Sequence, residues 1–214
     1  MRISRWWLGS LIAIVLLGTW FVLEGREAPV SPEVLSSHSN EVFRDADSPV
    51  GGNPDGDVTL VEFYDYNCPY CRQMSGVIAQ AEAADPKLRL VYKEWPILGS
   101  VFPAKAALAA ERQGKFIVFH RALYQLRGQV DEGKTLATAV SLGLDLDRLK
   151  SDLQEPAIDA MLKRNVTLAR ALKIDGTPGF VIGDRILMGP IDFGKLQMVI
   201  QDARGGKRYG QARL

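Results

Sequence analysis

The sequence predicts an α/β fold in which a strand–helix–strand unit is separated from a closing strand pair by a helical insertion. Three observations point there. First, "VTLVEFY" from Val58 is β-branched and aromatic, "PYCRQMSGVIAQAEAA" places Met74, Val77, Ile78 and Ala81 on one helical face, and "LRLVYKEW" returns to strand. Two strands joined through a helix form a βαβ unit with a right-handed crossover. Second, the pattern over residues 98–174 is helical almost throughout. Third, "GFVIGDRILMG" reads as two strands around a Gly183-Asp184 turn, followed by the amphipathic helix "IDFGKLQMVIQDAR" and a basic tail.

The elements follow in chain order. Arg2 and Arg5 precede an uncharged run from Trp6 to Leu23, with Trp6, Trp7 and Trp20 near its ends. Such a run is close to the minimum for crossing a bilayer and long for the core of a signal peptide. Tryptophan is favoured at membrane interfaces. Residues 1–25 are expected to be a membrane anchor, with a cleaved signal peptide as the alternative. In both cases the arginines hold the N-terminus in the cytoplasm and the remainder is exported. Residues 26–50 are polar and contain Pro29, Pro32 and several serines, and read as a tether with room for a short helix at Pro32–Phe43. "SPVGGNPDGD" is turn-rich and marks the boundary of a domain expected over residues 51–214. Without a Gly-Lys-Ser/Thr ending it reads as a turn and not as a phosphate loop.

Within the domain, Pro69 suits the first helical position, where a missing N–H costs nothing. In the insertion, "PAKAALAAERQG" stops at Gly114, and "KFIVFHRALYQL" sets Phe116, Phe119, Leu123 and Leu126 on one stripe. "GKTLATAVSLG", "LDRLKSDLQ" and "PAIDAMLKRNVTLARALKI" continue the helical pattern.

Composition bounds the function. A length of 214 residues suits one domain with appendages, and 47% hydrophobic with 24% charged residues suits a packed core. A formal net charge of +1 gives no basic excess for nucleic acid and no acidic tail.

The chemistry concentrates in the only two cysteines, Cys68 and Cys71. Cys-X-X-Cys beside a βαβ pattern reads as a redox motif. Cys68 sits where a helix begins, and unpaired N–H groups with the helix dipole favour an anion there. That lowers its pKa and raises its thiolate fraction, while Cys71, one turn further in, is less exposed. Cys68 is then the sulfur that attacks or is attacked, and Cys71 resolves the mixed disulfide. Pro69 and Tyr70 tune the couple. A zinc site needs two more ligands, and only His38 and His120 are present, the first in the tether and the second in an apolar helix. A purely structural disulfide closing so small a loop constrains the unfolded chain little. Two further features fit redox work. Thr177-Pro178, between Gly176 and Gly179 and just before a strand, suits a cis proline that presents backbone beside the cysteines. Glu62, on the strand before Cys68, suits a buried carboxyl that relays the Cys71 proton, unless it is a strand-edge glutamate paired with a lysine.

With "EFYDYNCPYC", the helical insertion and "GTPGFVIGD" in place, the chain resembles the DsbA family of exported thiol–disulfide oxidoreductases over about residues 50 to 205. The resemblance implies a thioredoxin fold with an inserted helical domain, here preceded by the N-terminal transmembrane or signal segment. It implies Cys68 as nucleophile, Cys71 as resolving thiol, Pro178 as the cis-proline and Glu62 as the buried acid, with no cofactor beyond the Cys68–Cys71 disulfide. Substrates are then exported cysteine-containing polypeptides, lying extended against Thr177-Pro178 as an added strand. A membrane redox partner is implied, on the periplasmic face of the inner membrane, or in the soluble periplasm if the signal is cleaved. The tether lacks clear heptads, which favours a monomer. The expected activity is disulfide oxidation. Two departures favour the alternative. Oxidase members carry histidine where Tyr70 stands and often valine where Thr177 stands, whereas Tyr70 with Thr177-Pro178 resembles isomerase- or reductase-leaning relatives of the copper-sensitivity suppressor C type. A reading from another class is an anchored binding module that uses the groove without turnover.

Overall fold

The computed structural model describes residues 25–210. Its strands are β1 (Arg26–Pro29), β2 (Val50–Gly52), β3 (Val58–Tyr64), β4 (Leu88–Glu94), β5 (Gly179–Ile182) and β6 (Arg185–Met188). Its helices are α1 (Pro32–Phe43), α2 (Pro69–Ala84), α3 (Val101–Glu111), α4 (Phe116–Gln125), α5 (Glu132–Ser141), α6 (Leu146–Asp152), α7 (Pro156–Ala171) and α8 (Phe193–Arg204). The strands form one mixed sheet in the order β1-β6-β5-β3-β4-β2.

β3 lies at the centre, parallel to β4 and antiparallel to β5. It is covered on both faces, which is why its sequence reads as a near-continuous apolar run instead of an alternation. Successive side chains still point to opposite faces. Leu60, Tyr64, Leu90 and Tyr92 join a core with Cys71 and Met74 of α2 and with Phe116 and Phe119 of α4. Val61, Phe63 and Val91 join a second core with Val42 of α1 and Leu168 of α7. Phe63, Phe116, Phe119 and Phe180 are essentially fully buried, and each such side chain contributes about 1.5–3 kcal/mol by leaving water. Helices α3–α7 occupy the insertion between β4 and β5, with alanine-rich α3 buried among α4, α5, α6 and α7.

The N-terminal third departs from expectation. Residues 26–50, expected as a tether, contribute β1 to the sheet edge, pairing Arg26 with Met188 and Ala28 with Ile186. The short helix for which the sequence left room at Pro32–Phe43 is present as α1, capped by the Ser31 hydroxyl, which accepts the Val34 N–H at 3.4 Å. A four-residue edge strand such as "REAP" has no hydrophobic period of its own, and its partner lies far along the chain. The glycine-rich segment expected as a boundary turn contains β2, antiparallel to β4. Gly52 has φ +64°, and a Cβ there would stand 2.4 Å from the Leu88 carbonyl oxygen, so the glycine serves a close strand approach. The expected membrane anchor, residues 1–25, lies outside the described residues except for Gly25. Among the described residues no helix is long and apolar enough to cross a membrane.

Candidate active site

The cysteines sit where β3 hands the chain to α2. The turn between them is built by buried Asp65. Its carboxylate accepts the N–H groups of Asn67 and Leu98, each at 2.6 Å, and its carbonyl accepts the Cys68 N–H at 3.1 Å. Asn67 in turn accepts the Val130 N–H at 2.7 Å, tying the turn to the insertion. This fixes Cys68 as the N-cap of α2, with φ −77° and ψ 119°, and Pro69 as its first residue.

The Cys68 Sγ lies 3.2 Å from the Thr177 carbonyl oxygen and accepts the Cys71 N–H at 3.5 Å. The Thr177-Pro178 peptide is cis, and its loop stands directly against Cys68, so the two motifs meet as the sequence pattern suggests. Both cysteines are free thiols. Cys68 keeps 3% of its surface exposed and Cys71 none, so Cys68 is more enclosed than a helix-end residue alone would be, because the proline loop covers it. Pro69 and Tyr70 are exposed beside it, Tyr70 to 45%.

The two thiols are driven apart electrostatically. The Cys71 thiol hydrogen-bonds the Cys68 sulfur and, against the cost of burial, brings Cys68 from 9.0 to about 6, helped by Thr177 and by the N–H groups of Cys71 and Tyr70. The buried Thr177 hydroxyl has no hydrogen-bond partner among the described residues, so it is available to the thiolate. Burial pushes Cys71 far in the other direction, reinforced by its bond to Cys68 and by Glu62, and it stays protonated. In the reduced protein the ultraviolet thiolate absorbance is therefore expected to titrate with a midpoint near 6. Cys71→Ala should move that midpoint up towards 9, since the Cys71 thiol is the largest cause of the depression. A midpoint unmoved by that change would contradict the geometry.

Glu62 lies on central β3, opposite Phe180 and Tyr92, and is 3% exposed. The strand-edge alternative fails, since β3 has neighbours on both sides and the Glu62 Oε1 has no hydrogen-bond partner among the described residues. Burial first, and then the Cys68 charge, raise its pKa to about 8. A carboxyl that is neutral at pH 7 thus lies under the cysteine pair.

Three groups around the site leave no signal in sequence spacing. Arg72, directly after Cys71, donates to the carbonyls of Tyr124 (2.7 Å), Leu126 and Gly128 (3.2 Å), clamping α2 to the end of α4. Its partners are backbone oxygens far along the chain, which no side-chain pattern marks. Glu94 is buried and accepts from the Tyr64 hydroxyl and, at 3.3 Å, from the Tyr66 hydroxyl. Burial holds it well above the usual carboxylate range. His120, which the sequence places in an apolar helix, is packed among Tyr64, Tyr66, Tyr92, Phe116 and Tyr124, with Nδ1 3.0 Å from the Tyr66 hydroxyl. Burial lowers its pKa to about 3. His38 is on α1, 3.0 Å from Glu41. Among the described residues no cluster of three or more His, Cys, Asp or Glu could hold a metal.

Residues 44–202 match the family model described as thioredoxin. The chain belongs to the thioredoxin family. Within that family its solved neighbours are DsbA-like. It is 45% identical to a thioredoxin-like oxidoreductase from Silicibacter pomeroyi, covering 78% of this chain and 97% of that one with a TM-score of 0.76. The catalytic domain of Proteus mirabilis ScsC is 29% identical over 81% of this chain and 98% of its own, TM-score 0.74. The thiol-disulfide exchange protein alpha-DsbA2 of Wolbachia pipientis is 28% identical over 79% and 94%, TM-score 0.74. Among curated proteins, a Na(+)/H(+) antiporter NhaA of Salinispora tropica is 30% identical over 94% of this thioredoxin-family chain but only 33% of the antiporter. The chain thus spans about a third of the length of the first curated relatives it matches.

Proposed function

We propose that this chain is a thiol–disulfide oxidoreductase that oxidises exported cysteine-containing polypeptides. The observation that carries the reading is the Cys68 sulfur, at a helix N-cap and 3.2 Å from the Thr177 carbonyl, with its pKa drawn down to about 6. Cys68 is the exchanging sulfur, Cys71 the resolving one and Glu62 the buried acid. A substrate thiolate attacks the Cys68 sulfur of the Cys68–Cys71 disulfide. That S–S bond breaks, a Cys68–substrate bond forms, and Cys71 leaves with the electron pair and takes the proton of Glu62. A second substrate thiolate then attacks the substrate sulfur of the mixed disulfide. The substrate leaves oxidised and Cys68 leaves as a stable thiolate. The substrate backbone lies extended along Thr177-Pro178, with Pro69 and Tyr70 at the rim.

A membrane redox partner restores the disulfide. The protein works as a monomer at the periplasmic face of the inner membrane, held there by the uncharged run Trp6–Leu23, or in the soluble periplasm if that run is removed. A second reading, isomerase or reductase, is favoured by the likeness to the ScsC catalytic domain and by Tyr70 and Thr177 in place of the histidine and valine of oxidase relatives. Equilibration of the cysteine couple with glutathione separates the two. The scale runs from about −120 mV for DsbA to about −270 mV for thioredoxin, roughly 7 kcal/mol. A Cys68 pKa of about 6 lies between about 7 for thioredoxin and about 3.5 for DsbA, so a potential above thioredoxin's and below DsbA's is expected. A value at the thioredoxin end would replace oxidation by reduction.

A further inference from the structure

The face of the sheet away from the cysteines carries a second constellation that the redox reading does not use. Lys93 of β4 points there, with a side chain only 1% exposed. Its ammonium donates to Asp45 Oδ2 at 2.9 Å and to Ser48 Oγ at 2.7 Å, which leaves one of its three N–H groups. Beside it opens a cavity of about 430 Å³ between α1 with its following loop and α7, within the size range of small-molecule sites.

The charge around this cavity does not balance. Arg44, Lys93, Lys163 and Arg164 line it against two carboxylates, Glu41 and Asp45. Both carboxylates are already engaged, Asp45 with Lys93 and Glu41 with His38 at 3.0 Å. Arg164 pairs with Asp47 at 2.6 Å. Arg44 and Lys163 have no ion partner among the described residues, and Arg44 instead raises the positive potential at its neighbour Arg89. Asn165 is also on the wall, and its amide donates to the Glu94 carbonyl at 3.2 Å. Positive groups gathered around a concavity with low-dielectric walls focus the field and draw anions. A guanidinium fork and two ammonium groups match a phosphate, whose oxygens accept several charge-assisted hydrogen bonds at once.

We propose that this cavity binds a phosphate-bearing ligand through Arg44, Lys163 and the remaining N–H of Lys93. The phosphate can belong to a soluble phosphate ester or to a lipid headgroup, and one experiment tells them apart. The full chain is titrated calorimetrically with inorganic phosphate and glycerol 3-phosphate at low ionic strength. In parallel it is sedimented with phosphatidylcholine vesicles, with and without phosphatidic acid. Saturable binding of one phosphate per chain is expected, weakened about tenfold or more in an Arg44→Gln, Lys163→Gln double variant, with thiol–disulfide exchange unchanged. Retention on phosphatidic acid vesicles beyond that on phosphatidylcholine alone, competed away by soluble phosphate, assigns a headgroup, and binding of soluble phosphate without such excess retention assigns a soluble ester. Absence of saturable binding, or an affinity unmoved by the double variant, overturns the proposal. So does retention on phosphatidic acid vesicles, in excess of that on phosphatidylcholine alone, that phosphate fails to compete.

Discussion

Cys68→Ser is expected to remove thiol–disulfide exchange altogether, a loss of about a thousandfold or more, while leaving the fold intact. The reason is the reacting species. With a pKa of about 6 the Cys68 sulfur is about 90% thiolate at pH 7, against a few per cent for an ordinary thiol. A serine hydroxyl is neither ionised there nor able to form a disulfide. Cys71→Ala should behave differently. Cys68 can still attack a substrate disulfide, but the mixed disulfide has no partner to resolve it, so covalent complexes accumulate. The measurement is turnover of a cysteine-containing peptide together with non-reducing electrophoresis. Turnover is expected to be lost in both variants, and mixed-disulfide complexes that form equally in both, or in neither, would contradict the division of labour. Full function retained in Cys68→Ser would favour the binding-module reading.

Much of this arrangement is legible in the residues, because its signals are local. The strand before Cys68, Pro69 at the first turn of α2 and the amphipathic faces of α2 and α4 depend on neighbours within a turn or a strand. Thr177-Pro178 is recognisable beside the cysteines because glycines and a following strand frame it. What escapes is non-local. β1 is polar and four residues long, and it becomes a strand only because β6 offers an open edge. β2 looks like a turn because the glycines that permit close packing against Leu88 are also turn residues. The Asp65 turn, the Arg72 clamp and the Tyr66–His120 bond join residues more than thirty positions apart, mostly through backbone atoms that carry no sequence identity. The insertion thus does more than cover the site. It grips the segment on both sides of the cysteines, Asn67 through Val130 and Arg72 through the end of α4.

Glu62 is where stability and chemistry should conflict most sharply. Its pKa is about 8 in the folded protein against 4.5 for an ordinary glutamate, so between those values the folded state holds a proton that the unfolded state releases. Stability therefore falls as pH rises across that window. The contribution is nil below 4.5 and costs about 3 kcal/mol at pH 7 and about 5 kcal/mol above pH 8, at 1.36 kcal/mol per unit. Glu62→Gln keeps the shape and removes the ionisation. In the reduced protein it is expected to match the parent in urea denaturation at pH 4.5 and to exceed it by several kcal/mol at pH 8. The oxidised protein should show a smaller gap, because the Cys68 charge that helps raise the Glu62 pKa is then absent. The same change should slow release of Cys71 on the order of a hundredfold, since the leaving sulfur loses its nearby proton donor. A stability difference that is the same at both pH values would mean that Glu62 is not the neutral buried acid its surroundings make it, and the proton step assigned to it would fall with that result.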